Sequence, residues 1–437
     1  MANRQAPRRV ASAVMNSLKG GVTPRIGLEY IAVGRTQEIN ALLHDIDIIK
    51  DGGAAFRFIV GRYGSGKSFL LQLIRNYAMD RGFAVADADL SPERRLAGGG
   101  RQGLATYKEL IRNISTKTRP DGGALQLILE RWISSIQSDV VIETGLSSDD
   151  HAFNEAVYKR VHQVALEMET MVNGFDFAQA MMVYYNAYIS DNDDLRSNIL
   201  RWFRGEYGTK TEAKRDFGIN LIINDTNWYD FIKLLSSFLV KAGYKGLLIL
   251  IDELVNLFRI PNTITRQTNY EMILMMYNDM LQGKAKHLGF FMCATPQSLE
   301  DQHKGVFSYD ALRSRLIEGR FATENRKDLL APIIRLEPLT HEEMYVLLEN
   351  LAQIHADLYN YEVSVSHDNL IYFLQVEYER IGADIHITPR EIIRDFIELI
   401  NIIYQNPDKS ITEILGGAQF IFSNDFGQPD QFADFEV

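Results

Sequence analysis

The sequence contains a single cysteine among its 437 residues, so an internal disulfide is excluded. That cysteine, Cys293, lies inside an apolar run, which predicts a buried strand position rather than a reactive thiol. No run reaches the roughly 18 apolar residues that a membrane-spanning helix needs, and residues 1–9 hold no apolar stretch of the secretory kind. We therefore expect a cytoplasmic protein without a membrane partner.

Positive charge is also in short supply. The chain has 46 Lys and Arg residues against 57 Asp and Glu residues, which gives a net charge of −11. This balance argues against broad nucleic-acid binding by the isolated chain. Two basic segments, residues 1–36 and 94–103, could still touch a phosphate backbone in an assembled ring, with a flexible arm and a solvated loop as the simpler alternatives. The nine histidines show no metal-ligand spacing.

What the chain does contain is a phosphate-binding sequence. Residues 61–68 read Gly-Arg-Tyr-Gly-Ser-Gly-Lys-Ser, follow an apolar run and lead into a helical pattern. The glycines let the backbone turn its N–H groups toward phosphates, and the following helix adds its positive N-terminal end. Lys67 is expected to reach the outer phosphates and Ser68 to hold Mg²⁺. The predicted nucleotide-binding residues here are Gly61, Arg62, Tyr63, Gly64, Ser65, Gly66, Lys67, Ser68 and Phe69.

A second half of the predicted nucleotide site lies far downstream. Residues 246–251 form an unbroken apolar run that ends in Asp252 and Glu253, as expected for a strand buried on both faces. The carboxyl edge of a parallel sheet is where ligands bind. Asp252 is predicted to orient Mg²⁺ and its waters, and Glu253 to polarise the attacking water as general base. A purely structural Asp-Glu pair is the alternative.

Strand and helix patterns alternate along the chain. Apolar runs predict five strands, at residues 56–60, 83–90, 246–251, 288–295 and 332–336. Such alternation implies parallel strands joined by right-handed crossovers. Residues from about 120 to 238 have helical apolar spacing, and two further helices are predicted to begin after Thr340 and Thr388. We therefore predict an α/β fold with a five-stranded parallel sheet, a helical insertion and a C-terminal helical lid.

The order of these motifs resembles the AAA+ branch of P-loop ATPases, because another strand separates the phosphate loop from the Asp-Glu pair. In that family a polar residue called sensor 1 follows the next strand, and the resemblance gives this role to Thr295, with an ordinary β-forming Thr as the alternative. It implies an arginine finger, Arg313 or Arg315, acting in a neighbouring subunit of a homo-oligomer, with solvated helix arginines as the alternative. It also implies a lid arginine, sensor 2, at Arg390, against a simple surface salt bridge.

The segment Val33-Gly34-Arg35 resembles the Gly-Arg box of origin-recognition and STAND-type ATPases, where it lines the adenine pocket. Read over a longer stretch, the chain is similar to the BrxC/BrxD ATP-binding proteins of bacterial BREX phage-defence systems, and its length favours BrxD. The similarity covers residues 21–27, 33–35, 52–58, 61–67, 89–94, 122–125, Trp132 and 251–254. It implies ATP and Mg²⁺ as cofactors and other defence-system proteins as partners, and it leaves open whether DNA is a further partner, directly or through those proteins.

The predicted domains follow from these motifs. They are a basic N-terminal arm with the adenine-side segment at 1–36, an ATPase core at 37–337 with the helical insertion, a helical lid at 338–410 and an acidic aromatic tail at 411–437. The tail has no regular period, and we weigh a docking peptide against packing onto the chain's own lid.

The expected function is Mg²⁺-dependent ATP binding and hydrolysis that drives a conformational or assembly change in an anti-phage or DNA-processing complex. An ATP-dependent assembly module with little hydrolysis is one alternative. A DNA-loading or translocating motor is another, although no region large enough for a winged helix follows Arg390.

Overall fold

The structure, a computed structural model, describes residues 6–147, 150–317, 327–380 and 388–417. Its fold is organised into two units. Arg35–Pro338 form the first, which contains the described strands and is called the sheet unit. Met1–Gly34 and Leu339–Val437 form the second, which is called the helical unit. The sequence separates residues 1–36 from a lid at 338–410, whereas the structure groups the two ends of the chain together.

Helices make up most of the described chain. The first nine are α1 Arg8–Lys19, α2 Thr36–Lys50, α3 Lys67–Asp80, α4 Gln102–Arg112, α5 Leu125–Thr144, α6 His151–Glu169, α7 Gly174–Ile189, α8 Asp193–Phe203 and α9 Lys210–Phe217. The next nine are α10 Trp228–Lys241, α11 Val255–Phe258, α12 Thr263–Leu281, α13 Pro296–Glu300, α14 Asp310–Leu316, α15 His341–Tyr359, α16 His367–Arg380, α17 Pro389–Gln405 and α18 Ile411–Gly417. Across the described ranges, none is both long and apolar enough to cross a bilayer.

One parallel sheet carries the architecture of the sheet unit. Its strands are β1 Ala54–Val60, β2 Ala84–Asp89, β3 Leu247–Asp252, β4 Leu288–Ala294 and β5 Ile333–Arg335. They lie in the order β2-β3-β4-β1-β5, and every neighbouring pair is parallel. The predicted five-stranded parallel sheet of an α/β fold is confirmed, with strand bounds within two residues of the predicted runs.

The sheet is buried on both faces, and this explains why β3 is apolar throughout. Ile249 and Ile251 belong to the larger core, whereas Leu248 and Leu250 belong to a smaller core on the other face. Successive side chains of a strand point to opposite faces, so a strand covered on both sides has no polar alternation. Cys293 packs in the smaller core, where burial raises the pKa of its thiol well above its usual range. The predicted buried position of this cysteine is confirmed.

Different helices cover the two faces. Leu42 and Ile46 of α2 and Leu70 and Ile74 of α3 pack in the smaller core. Between β2 and β3 the chain forms α4 to α10, and these helices contribute most of the larger core. The larger core is rich in aromatic rings, such as the edge-to-face pair of Trp132 and Phe238 with centroids 5.2 Å apart. The helical spacing that the sequence shows over this stretch corresponds to a packed aromatic core.

The helical unit begins its two long helices as their sequences predict. The Thr340 hydroxyl accepts the N–H of Glu343 at 3.1 Å, and the Glu343 carboxylate accepts the N–H of Thr340 at 3.0 Å. Glu391 likewise accepts the N–H of Thr388 at 3.0 Å, ahead of α17. These reciprocal caps satisfy N–H groups that a helix start leaves without partners. Helix α1 packs against α15 and α17. The predicted irregular tail at 411–437 begins with the short helix α18, so its lack of a regular period is wrong for residues 411–417, and residues 418–437 lie outside the described residues.

Candidate nucleotide site

The phosphate loop is the short connection of residues 61–66 between β1 and α3. Gly64 and Gly66 have φ angles of 77° and 88°, which lie in the left-handed region that glycine adopts at low cost. A Cβ on Gly61 would lie 2.3 Å from the Ser65 hydroxyl oxygen, so only glycine allows the loop to close this tightly. The tight turn delivers the chain into α3, whose N-terminal N–H groups and dipole favour an anion.

Lys67 folds back over this loop. Its ammonium donates to the carbonyl oxygens of Gly61 at 2.9 Å and Arg62 at 2.8 Å. The lysine charge is thereby held above the turn that the glycines form. Tyr63, 70% exposed, and Arg62 lie on the outer side of the loop, and Phe69 is half-buried in the first turn of α3.

Ser65 supplies an unusual polar atom within the loop. Among the described residues, its buried hydroxyl oxygen has no hydrogen-bond partner. A buried polar group without a partner is costly, and phosphate oxygens or their waters would satisfy it. The main-chain carbonyl of Ser65 accepts a hydrogen bond from the Arg35 guanidinium at 3.3 Å. These features fit a loop that receives a phosphate group.

Ser68 and Asp252 meet at the carboxyl edge of the sheet. The Ser68 hydroxyl donates to one carboxylate oxygen of Asp252 at 2.6 Å, and the other oxygen accepts the N–H of Glu253 at 2.8 Å. No group of three or more His, Cys, Asp and Glu side chains is arranged to hold a metal within the described ranges. A hydroxyl and one carboxylate are nevertheless the hard oxygen ligands that suit Mg²⁺, which keeps several of its own waters. The donor set therefore fits the ion that the sequence predicts.

Glu253 occupies a turn with a left-handed backbone. Its φ is 60°, a region that non-glycine residues rarely adopt and that recurs at functional sites. The chain around it is fastened, because the N–H of Leu254 donates to the carbonyl of Cys293 at 3.2 Å, and the Asn256 amide donates to the carbonyl of Leu90 at 2.8 Å. The Glu253 side chain is exposed beside Asp252. A carboxylate held in this way at a sheet edge suits proton transfer with water.

Asp89 is a candidate site residue that the sequence analysis did not name. It ends β2 in register with Asp252 on the adjacent strand. Although its side chain reaches solvent, desolvation raises the pKa of the Asp89 carboxyl, and the neighbouring charges of Asp252, Asp87 and Glu253 raise it further. A signal was present, because the predicted 83–90 run carries an acidic residue, Asp89, one position before its end.

Thr295 lies beside the start of the phosphate loop. It follows β4, whose last residue, Ala294, accepts the N–H of Gly61 at 3.1 Å. Its hydroxyl oxygen accepts the N–H of Ser298 at 3.1 Å, and its own N–H donates to the Ser298 hydroxyl at 2.9 Å. Thr295 is thus the N-cap of α13, a role that the sequence analysis did not consider. The structure brings it next to the loop with its oxygen engaged in a cap.

The two arginines proposed as fingers make local contacts on α14. Arg313 forms an ion pair with Asp310 at 2.8 Å, and the Arg315 guanidinium donates to the carbonyl of Ala311 at 2.7 Å. Both side chains reach solvent. A finger acts in the site of a neighbouring subunit, so one chain leaves this prediction open.

The remaining predicted residues divide between the two units. Arg35, in the sheet unit, donates to the carbonyls of Ser65 and Glu337. Gly34, in the helical unit, has a φ of 66°, and a Cβ there would lie 2.7 Å from a Glu343 carboxylate oxygen. Val33 precedes it, and Arg390 is exposed in the first turn of α17. Arg35 contacts the phosphate loop within its own unit.

Comparison with known families agrees with this geometry. Residues 6–419 match the family described as BREX system ATP-binding protein BrxC/D. The chain belongs to this family. Membership implies ATP as ligand, a role in phage defence and other proteins of the BREX system as partners. The match does not separate BrxC from BrxD, so the assignment to BrxD stays a prediction, and no curated protein matches the chain.

Proposed function

We propose that this BREX family member is a Mg²⁺-dependent P-loop ATPase of the AAA+ type, whose nucleotide cycle drives a conformational or assembly change in a defence complex. The observation that carries the proposal is the hydrogen bond between Ser68 and Asp252, residues 184 positions apart in the chain. It joins the end of the phosphate loop to the strand that bears the two carboxylates. A glycine turn without a ligand would not require this pairing.

The strand order supports the AAA+ assignment. In the order β2-β3-β4-β1-β5, β4 lies between the phosphate-loop strand and the strand that ends in Asp252. Along the chain β2 separates these two strands, whereas in the sheet β4 does, so a strand stands between the two motifs in space as well as in sequence. Asp252 and Thr295 consequently lie at the ends of neighbouring strands β3 and β4, on the same edge as the loop after β1. Parallel strands align their carboxyl ends, which is where open α/β sheets bind ligands.

The chain's own residues account for binding. The loop N–H groups and the N-terminus of α3 face the phosphates, and Lys67 exchanges its carbonyl contacts at Gly61 and Arg62 for phosphate oxygens. Ser68 and Asp252 would hold Mg²⁺, and the bound ion would neutralise charge on the β- and γ-phosphates. Val33, Gly34 and Arg35 are proposed to line the adenine side.

Glu253 is proposed as the general base. It takes a proton from the attacking water as the new bond forms between the water oxygen and the γ-phosphorus. The bond from that phosphorus to the β-phosphate oxygen breaks, and the products are ADP and inorganic phosphate. Thr295 is proposed to help position the water. Arg390, and Arg313 or Arg315 from a neighbouring chain, are proposed to stabilise the charge that develops on the γ-phosphate.

An assembly module with little hydrolysis is the second candidate, and one contact favours it. The Thr295 hydroxyl oxygen caps α13, so this bond fixes the oxygen at the helix start and only the hydroxyl proton would be directed at a phosphate oxygen. In such a module ATP would hold the assembled form, with slow turnover and tight nucleotide binding.

Steady-state hydrolysis and nucleotide binding, each with and without DNA, test the proposal. Glu253→Gln should retain ATP but lose turnover by about 100- to 10,000-fold, because the metal ligands survive while the base does not. Lys67→Ala should lose nucleotide binding itself. Glu271→Gln, which neutralises an exposed glutamate on α12, is the matched control and should behave as wild type.

Two results would contradict the assignments. Unchanged turnover in Glu253→Gln would remove Glu253 as the base, and unchanged ATP affinity in Lys67→Ala would remove the phosphate loop as the binding site. Tight binding with negligible wild-type turnover would favour the assembly module. Stimulation of wild-type turnover by DNA would favour a DNA-dependent motor.

A further inference from the structure

Asp89 stands directly beside the carboxylate proposed to hold the metal. It ends β2 opposite Asp252 in the parallel register, and adjacent strands lie about 4.8 Å apart. The N–H of Leu90 donates to the main-chain carbonyl of Asp252 at 3.1 Å, so the strand pairing continues through this position. The placement of Asp89 at the edge is therefore fixed by the same sheet that fixes Asp252.

The chain after Asp89 is also held in place. The Arg94 guanidinium donates to the main-chain carbonyl of Asp89 at 3.0 Å, and Ser91 and Arg94 exchange main-chain hydrogen bonds at 2.9 and 3.2 Å. On the other side, the Asn256 amide donates to the carbonyl of Leu90 at 2.8 Å. These contacts use main-chain oxygens and leave the Asp89 carboxylate reaching solvent. The backbone at Asp89 is therefore held by hydrogen bonds that do not involve its carboxylate.

The neighbouring carboxylate on the same strand behaves differently. Asp87 pairs with the Arg75 guanidinium at 3.3 Å, and Arg75 is itself buried. This pairing ties β2 to α3 and gives Asp87 a structural role. Within the described part of the chain, the Asp89 carboxylate accepts no hydrogen bond, so the two acidic residues of the strand have separate uses.

We propose that Asp89 is a positioning residue of the nucleotide site: its carboxylate accepts hydrogen bonds from water in the coordination shell of the Mg²⁺ held by Ser68 and Asp252. The inference rests on the proposed function. Mg²⁺ demands six oxygen ligands and loses water reluctantly, and the chain offers one hydroxyl and one carboxylate for direct contact. Phosphate oxygens and waters fill the remaining positions, and those waters need acceptors. Asp89 is the next carboxylate along the sheet edge.

The test titrates Mg²⁺ while following binding of an N-methylanthraniloyl derivative of ATP to the full chain. Asp89→Asn keeps the shape of the side chain and removes its charge, and we expect about 10-fold more Mg²⁺ for half-maximal nucleotide binding. Asp89→Glu, which restores a carboxylate, should recover part of the loss. Glu93→Gln removes an exposed carboxylate four residues later and should leave the Mg²⁺ requirement unchanged.

The outcomes separate this inference from the function on which it rests. Wild-type protein that binds no nucleotide at any Mg²⁺ concentration would overturn the proposed function. If Asp89→Asn needs the same Mg²⁺ concentration as wild type for half-maximal nucleotide binding, the role of Asp89 is overturned and the proposed function stands. An equal shift in Glu93→Gln would assign the effect to net charge and overturn it as well. A melting temperature of Asp89→Asn within error of wild type, together with the shifted Mg²⁺ requirement, would support it against a structural role.

Discussion

At the carboxyl edge of the sheet, polar side chains lie in the short connections that follow the strands. The helices α5 to α10, which lie between β2 and β3 in the chain and are called the helical region below, bury aromatic rings instead. Ser68 and Glu253 at the edge reach solvent and are positioned by their backbone. Trp132 and Trp202 in the helical region are fully buried. The edge combines exposed polar groups with two local costs, the left-handed Glu253 backbone and the partnerless Ser65 hydroxyl, whereas the helical region contributes buried apolar packing.

The contrast extends to unsatisfied polar atoms. At the edge, the Ser65 hydroxyl lies in a loop built for an anion, so a ligand can satisfy it. In the helical region the Trp132 ring nitrogen and the hydroxyls of Tyr184 and Tyr229 are buried without partners among the described residues. These groups lie in an aromatic core, where their burial is the price of packing the rings. The same local observation therefore has different meanings in the two regions.

The largest expected effect is a loss of ATP turnover without a loss of stability. Replacing both Arg313 and Arg315 by Ala should lower ATP turnover by about 1000-fold if one of them is the finger, with an unchanged melting temperature. Only an exposed ion pair and a local helix contact are lost. Hydrolysis and sedimentation with ATP and Mg²⁺ measure this, and the specific activity of wild type should rise with protein concentration. Arg160→Ala, which removes a similar exposed pair with Glu143, is the control.

A strictly monomeric wild type with concentration-independent specific activity would contradict the finger. In that case Arg390 would be the remaining arginine candidate, acting within one chain.

The next effect is a loss of stability from the helical region without a change in nucleotide affinity at the edge. Trp132→Ala should lower the free energy of unfolding by about 3–5 kcal/mol, because it removes a fully buried ring and leaves a cavity. Nucleotide affinity of the molecules that remain folded should not change. Denaturant unfolding and nucleotide titration measure the two quantities. Ile142→Ala, on the same helix but 81% exposed, should change stability by less than about 0.5 kcal/mol. Lost nucleotide affinity in folded Trp132→Ala would show that the two regions are coupled.

The smallest expected effect compares two buried tyrosine hydroxyls of the aromatic core, one with and one without a hydrogen-bond partner among the described residues. Tyr107 donates its hydroxyl to the carbonyl of Phe203 at 2.7 Å, so Tyr107→Phe should cost about 1 kcal/mol of unfolding free energy. Tyr184→Phe removes a buried hydroxyl without a partner among the described residues and should be neutral or stabilising. Denaturant unfolding of the two variants compares them directly.

Measuring stability as a function of pH gives a further test of the environment of Tyr184. Burial raises the pKa of the Tyr184 phenol, so the fold favours its neutral form. Wild type should lose stability as pH rises above about 10, where the phenol of the unfolded chain ionises, and Tyr184→Phe should lose less. Equal losses in both proteins would contradict an apolar environment for Tyr184.

Much of the sheet could be predicted because its signals are local. Short apolar runs bounded by turn residues are typical of strands buried on both faces, and the glycines of residues 61–66 favour a tight turn. The cap at Thr340 is local as well, since donor and acceptor lie three residues apart. Such features depend on neighbours in the chain, which the sequence displays.

Features that depend on distant neighbours were not accessible. Asp89 becomes a candidate for the site only through its register with Asp252, which β-strand pairing decides. The strand order itself is tertiary, because alternating strands and helices fit several orders of a parallel sheet. The capping of α13 by Thr295 is different, because it depends only on Ser298, three residues later in the chain. This cap was predictable from the sequence, but the family resemblance assigned Thr295 a sensor role instead.

Arg35 gives the sheet unit a mechanical property. Its guanidinium holds the carbonyl of Ser65, inside the phosphate loop, and the carbonyl of Glu337, next to the last residue of the unit. Arg35 is itself the first residue of the unit. One side chain thus fastens the loop to both points where the polypeptide crosses between units. Rotation of the Ser65 peptide would have to break its hydrogen bond with Arg35 or move the Arg35 side chain with it, so the first residue of the unit limits how freely the phosphate loop turns.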